Sequence, residues 1–199
     1  MTRVRLTSSC ILAGALIVSG ADAATPSLKI SLVSGSALEQ QKKDQIERLA
    51  ATYDLKKFTL TRDIRIEQGA TPHSKPVLTL NAGFLDDDDR ALSQYVHEQG
   101  HWVLGRRPQN LRDLYRELTS AFPSIPTDYP QGSGGVQDSY FHLAVILLEW
   151  QALEQLVGPD RALAVMTFKQ TDHYTALYRL VVDNRARVER IAARYGERW

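Results

Sequence analysis

The run Phe141-His-Leu-Ala-Val-Ile-Leu-Leu-Glu-Trp150 limits the possible folds more than any other part of this chain. It sits inside a segment, 138–157, whose pattern predicts a helix closed by Gly158-Pro159. Apolar residues fall on every side of that helix, which is the mark of a helix enclosed by other elements. The rest of the chain must therefore supply those elements. Within the run, Glu149 has no wet side to turn to. An ionised carboxylate there has to be paired, protonated or bound to a metal.

The remaining sequence supplies the enclosure. An extended start with a short strand near 28–33 leads into an amphipathic helix over 37–53. Alternation of Phe58, Leu60, Arg62, Ile64 and Ile66 predicts a half-buried strand over 58–67, and 77–81 reads as a second. Four acids, Asp86 to Asp89, suit the N-cap and first turn of a helix over 90–104 that stops at Gly105. As a calcium site the run lacks the spaced oxygen ligands and turn glycine of an EF-hand loop. A short amphipathic helix follows over 111–122. A loop rich in proline and glycine spans 123–135, and a helical stretch over 160–195 breaks near 170–171. The fold class expected is α+β, a small sheet followed by a mainly helical region, in one domain over 24–199.

Residues 1–23 read as something other than fold. Arg3 and Arg5 precede an apolar run from Cys10 to Val18, and Ala21-Asp22-Ala23 is an A-x-A site. That order is a secretory signal peptide, too short in its apolar part to span a bilayer comfortably. Cys10 opens the run instead of closing it, which argues against a lipoprotein. Removing residues 1–23 from the 199 leaves 176 and takes away Arg3, Arg5, Asp22 and the one cysteine. The 24 basic and 23 acidic residues then become 22 and 22. A neutral balance gives no reason to expect nucleic acid or a membrane surface as partner. A mature chain without cysteine relies on its core for stability, and any metal must be held by His, Asp or Glu. The location expected is secreted or periplasmic, with no membrane anchor after cleavage.

One motif carries chemistry: His97-Glu98-Gln99-Gly100-His101, an H-E-x-x-H inside the helix over 90–104. Positions i and i+4 share a helix face, so both imidazoles reach one metal, and Glu98 stands beside them as a proton acceptor. With a strand and loop ahead of the motif, this region resembles the zincin metallopeptidases. The resemblance implies Zn²⁺ as cofactor, a peptide or protein substrate, and an edge strand, here 77–80, that binds substrate in extended form. The metzincin extension fails at Leu104 and Arg107, where it requires Gly and His, and the inverzincin H-x-x-E-H is absent. The gluzincin pattern remains, in which a downstream helix supplies a Glu.

Glu149 is the favoured third ligand on the burial argument. Glu117 lies in a charged, amphipathic setting suited to solvent, and Glu154 is a weaker choice. His142 shares the face of Glu149 seven residues on. It would either orient a ligand from behind or replace Glu149 on the metal. His173 is expected on the inward stripe of the last helix and is the favoured donor for a tetrahedral oxyanion, with Tyr174, Tyr178 and Tyr140 as alternatives. His73, in a Pro-flanked loop, is expected at the surface.

These expectations add up to an exported zinc metallopeptidase with His97, His101 and Glu149 on the metal and Glu98 as base. Two other readings stay open: an exported zinc-binding protein without catalysis, and a helical binding or scaffold domain in which the motif is accidental. The export reading has a direct check. Protein recovered from the exported fraction should have the intact mass of a chain beginning at Ala24, and an intact Met1 would overturn it.

Overall fold

A computed structural model describes residues 27–199; the signal-peptide reading falls on residues outside that range. The described chain is α+β. Strand β1 (Lys29–Leu32) is followed by helix α1 (Ala37–Thr52), which crosses over to β2 (Asp63–Ile66), and β3 (Leu78–Leu80) completes the sheet. The order is β1-β2-β3, all parallel, with Ile30 opposite Ile64 and Ile66 opposite Leu80. Five helices follow: α2 (Asp88–Gly105), α3 (Leu111–Ala121), α4 (Val136–Val157), α5 (Pro159–Lys169) and α6 (Thr175–Arg194).

Local chemistry explains most boundaries. Ser36 caps α1, its hydroxyl accepting from the Glu39 amide at 3.2 Å. Asp87 does the same for α2 at Arg90, with Asp88 and Asp89 in the first turn, so the acidic run acts as a helix start. Gly158 at φ 87° lets the chain leave α4, and Pro159 opens α5 at a position where its missing N–H costs nothing.

The strand expected over 58–67 is shorter than its alternation suggests. Residues Lys56–Phe58 form a 3-10 turn, and only Ile64 and Ile66 alternate as strand residues, each buried. Phe58 reaches the core from the turn, where its ring meets Trp199 edge-on at 5.2 Å. Sequence alternation cannot tell a strand residue from a turn residue that happens to point inward.

Helix α4 occupies the centre. Leu143 through Leu148 are all essentially inaccessible, and α2, α3, α5 and α6 pack around the helix. It runs antiparallel to α2: His142 lies by His101, whereas Glu149 lies by Ser93. Gly100 sits at the crossing. A Cβ placed there would meet Val145 Cγ1 at 3.4 Å and Leu148 Cβ at 3.7 Å, so the two backbones approach where a side chain would hold them apart. Gly100→Leu should therefore cost about 1–3 kcal/mol by overpacking. A lowered urea midpoint at unchanged slope would show it; an unchanged midpoint would mean the crossing can yield.

The edge strand departs from expectation. β3 does lie at the edge of the sheet, but it is fully buried, and its outer side is already paired. The His73 amide donates to Thr79 O at 3.1 Å, and the Thr79 amide donates to His73 O at 2.8 Å. The segment around the exposed His73 thus takes the place expected for an extended substrate on 77–80.

Candidate metal centre and cleft

Three histidines converge. His97 and His101 lie one turn apart on α2, and His142 faces them from the first turns of α4. One ring nitrogen from each lies within 4.8 Å of the other two. The ring centroids are 5.2 Å apart for His97 and His101, 5.5 Å for His97 and His142, and 4.8 Å for His101 and His142. Burial holds His97 and His101 well below the usual imidazole range, and neighbouring histidines add to the effect. Both rings are therefore neutral and able to offer a lone pair.

Two of the three are oriented from behind. His97 Nδ1 donates to Glu149 Oε2 at 2.8 Å. His142 Nδ1 lies 2.9 Å from its own helix's Asp138 carbonyl and 3.3 Å from the Asp138 carboxylate. Each bond engages Nδ1 and leaves Nε2 free, the arrangement found behind metal-ligating histidines. Burial works against ionisation of Asp138, but its hydrogen bond to His142 holds the carboxyl down to about 2.

The set that converges has His142 where the sequence reading placed Glu149. The reason is helical rise. Seven residues along α4 cover about 10 Å, so His142 and Glu149 share a face but meet α2 two turns apart. Glu149 reaches the back of His97 and has no place at the convergence of free nitrogens. Its carboxylate is the completely buried group that the apolar helix implies, and three donors meet it: Ser93 Oγ, Tyr178 Oη at 2.7 Å and His97 Nδ1. Burial pushes Glu149 up, and the Ser93 and Tyr178 bonds work against that shift.

The other candidates sort by their partners. Glu117 pairs with Arg194 and accepts from Tyr195 Oη at 2.7 Å, and Glu154 binds Arg185; neither approaches the histidines. Tyr140 Oη donates to Phe122 O at 2.8 Å and is structural. Tyr178 Oη is committed to Glu149, and burial raises it well above the usual phenol range. His173 stands in the turn between α5 and α6, not on the α6 stripe, because the break runs to Tyr174. It still lines the cleft, with Nδ1 2.6 Å from Asp172 Oδ2. Burial and Lys169 hold His173 below its usual value.

A cleft of about 280 Å³ opens beside His97 and Glu98. Burial pushes Glu98 up to about 8, with Glu149 adding and Lys169 opposing. Among the described residues, the two non-glycine positions with positive φ, Phe84 at 57° and Tyr174 at 52°, both line this cleft. Bulky residues in the left-handed region signal local strain held by the surroundings, and such strain gathers at functional sites. At Tyr174 the strained turn swings the ring to 4.6 Å from His142 and 6.3 Å from His97. At Phe84 the loop is pinned by α1: Lys42 Nζ donates to Gly83 O at 2.9 Å and Gln45 Nε2 to Phe84 O at 2.9 Å. No sequence signal marks Phe84, Lys42 or Gln45 as shaping a site, since the conformation depends on contacts some forty residues apart.

A scan against models of protein families found no match, and searches among curated proteins and solved structures likewise found none. The hold on the buried Glu149 carboxylate can be tested without any ligand. Tyr178→Phe removes a donor from a buried carboxylate and should cost about 1.5–3 kcal/mol in urea unfolding, the range for a hydrogen bond to a charged group. A change within error would mean that Glu149 is held by its other two donors alone.

Proposed function

We propose that this chain is a metal-dependent hydrolase, with His97, His101 and His142 as protein ligands and Glu98 as general base, acting on an amide bond of a peptide. One observation carries the reading: three buried or half-buried imidazoles offer nitrogens to a common point, one of them, His97, lines a cleft, and two are oriented from behind by carboxylates. Structural zinc sites are usually closed by four protein ligands, while a three-histidine set with an open side is a catalytic arrangement. Neutral imidazoles suit zinc among available divalent metals, and zinc is the cofactor proposed. The third ligand is a histidine, so the gluzincin pattern does not describe this set.

The fit with a metal rests on the donor chemistry. Three imidazoles packed within 4.8 Å of one another would repel as cations and cooperate as ligands, and burial already keeps His97 and His101 neutral. A bound divalent cation would supply Lewis acidity and a lowered pKa for water.

The chain's own groups do the rest. Glu98 follows the first ligand on α2 and lines the cleft, so its carboxylate is placed to take a proton from the attacking water and return it to the leaving nitrogen. Burial favours its protonated form, and a nearby dication would draw it back to the carboxylate that a base must be. The phenol of Tyr174 and the imidazole of His173 line the same cleft and supply candidate donors to an oxyanion. Burial keeps Tyr174 protonated, up to about 12, as a donor must be. The Glu149 carboxylate fixes the His97 ring and takes no part in proton transfer.

Metal analysis of the purified protein should give one equivalent of zinc. His142→Ala should lose it, and Glu149→Gln should weaken binding by about 10–100-fold, the usual effect of losing a partner behind a ligand. Glu98→Gln should keep the metal and lower turnover of a peptide substrate by about 10²–10⁴. Full zinc in His142→Ala would remove His142 from the site, and no zinc in the native protein would overturn the reading.

A further inference from the structure

The cleft contains one buried ammonium that the chemistry above does not use. Lys169, the last residue of α5, lines the cleft with its side chain only 3% exposed. An ammonium has three protons to donate. Lys169 pairs with Asp172 Oδ2 at 3.5 Å, and that oxygen lies closer, at 2.6 Å, to His173 Nδ1. The neighbouring Phe84 ring, 4.9 Å from Nζ, offers a π face and no lone pair. Lys169 shares the lining of the cleft with His97, Glu98, Gln94 and His173. With one carboxylate oxygen at 3.5 Å, and that oxygen shared with His173, the ammonium keeps donor capacity for a further anionic partner in the cleft.

A second group in the cleft points the same way. Asn81 Oδ1 accepts from the Gly83 amide at 2.9 Å and from Gln94 Nε2 at 2.8 Å, which fixes both side-chain amides in orientation. Gln94 Oε1 is then left buried with no donor. Lys169 thus offers a positive donor and Gln94 an acceptor in one enclosed space beside Glu98.

We propose that Lys169 binds a carboxylate of the substrate, with Gln94 Oε1 accepting a neighbouring N–H, so that the cleft selects peptides bearing a carboxylate next to the bond attacked. This deepens the hydrolase reading and rests on it for the identity of the cleft as the substrate site. The carboxylate has two possible sources, the free C-terminus of a peptide or the side chain of Asp or Glu. Both present the same charge to the ammonium.

Equilibrium binding, not turnover, tests it. The probes are N-acetyl-dialanine as the free acid, the same peptide as its C-terminal amide, and N-acetyl-alanyl-glutamate amide. Isothermal titration with the full chain as purified should show the free acid, the glutamate amide or both binding about tenfold more tightly than the uncharged amide. Preference for the free acid alone identifies the C-terminus, and preference for the glutamate amide alone identifies the side chain. Lys169→Met should erase the preference and Lys169→Arg should retain part of it. His142→Ala, which removes a proposed metal ligand, should leave the preference in place. If His142→Ala loses it and Lys169→Met keeps it, the carboxylate binds the metal and the proposal is overturned. Equal binding of all three probes by the native chain overturns it as well. Should Lys169→Met fail to fold by circular dichroism, Asp172→Asn serves instead: removing the competing anion should strengthen the preference, and an unchanged or weaker preference counts against Lys169. Absence of metal from the native protein would sink the hydrolase reading without touching these affinities.

Discussion

The orientation of His97 and the joining of the helices around it depend on the Glu149 carboxylate. It is completely buried in the central helix and is met by Ser93 and His97 from α2 and by Tyr178 from α6. One acidic group thereby ties three helices together at a single depth in the core. A carboxylate so placed is tolerable only because its oxygens meet donors, and those donors are held only because the helices close around it. The same bond that satisfies Glu149 sets the tautomer of His97. Core stability and the orientation of a candidate ligand are one interaction seen from two sides.

Much of this was legible in the sequence, for identifiable reasons. The all-round apolarity of Phe141 to Trp150 required a central helix, and Asp86 to Asp89 marked the start of the helix that carries the motif. The burial argument correctly made Glu149 exceptional and Glu117 ordinary, because it asks only what a carboxylate needs when water is excluded. It could not choose among the three remedies of pairing, protonation and metal. That choice depends on the antiparallel register of α2 against α4, which brings His142 to His101 and carries Glu149 past them to Ser93. Register between helices far apart in the chain leaves no trace in local periodicity.

The parts that were not legible share that origin. His173 belongs to a turn because the break after α5 extends to Tyr174, whose left-handed backbone no composition rule announces. The shape of the cleft at Phe84 is imposed by Lys42 and Gln45 from α1. Lys169 in the sequence is one basic residue at a helix end, where the macrodipole alone would explain it. Its burial beside Glu98 emerges only when α5 and the turn after it are folded against α2.

The pairing of His73 with Thr79 has a consequence away from the cleft. A three-stranded parallel sheet presents two open margins, and an open margin is a template on which another chain can extend the sheet. Here the chain folds its own segment back along β3 and closes that margin. The opposite margin, β1, is only four residues long and carries Lys29, which pairs with Asp63 at the surface. Shortness and charge are the ordinary protections of such a strand. The sheet is thus guarded on both sides against self-templated association by means that require neither a disulfide nor a partner.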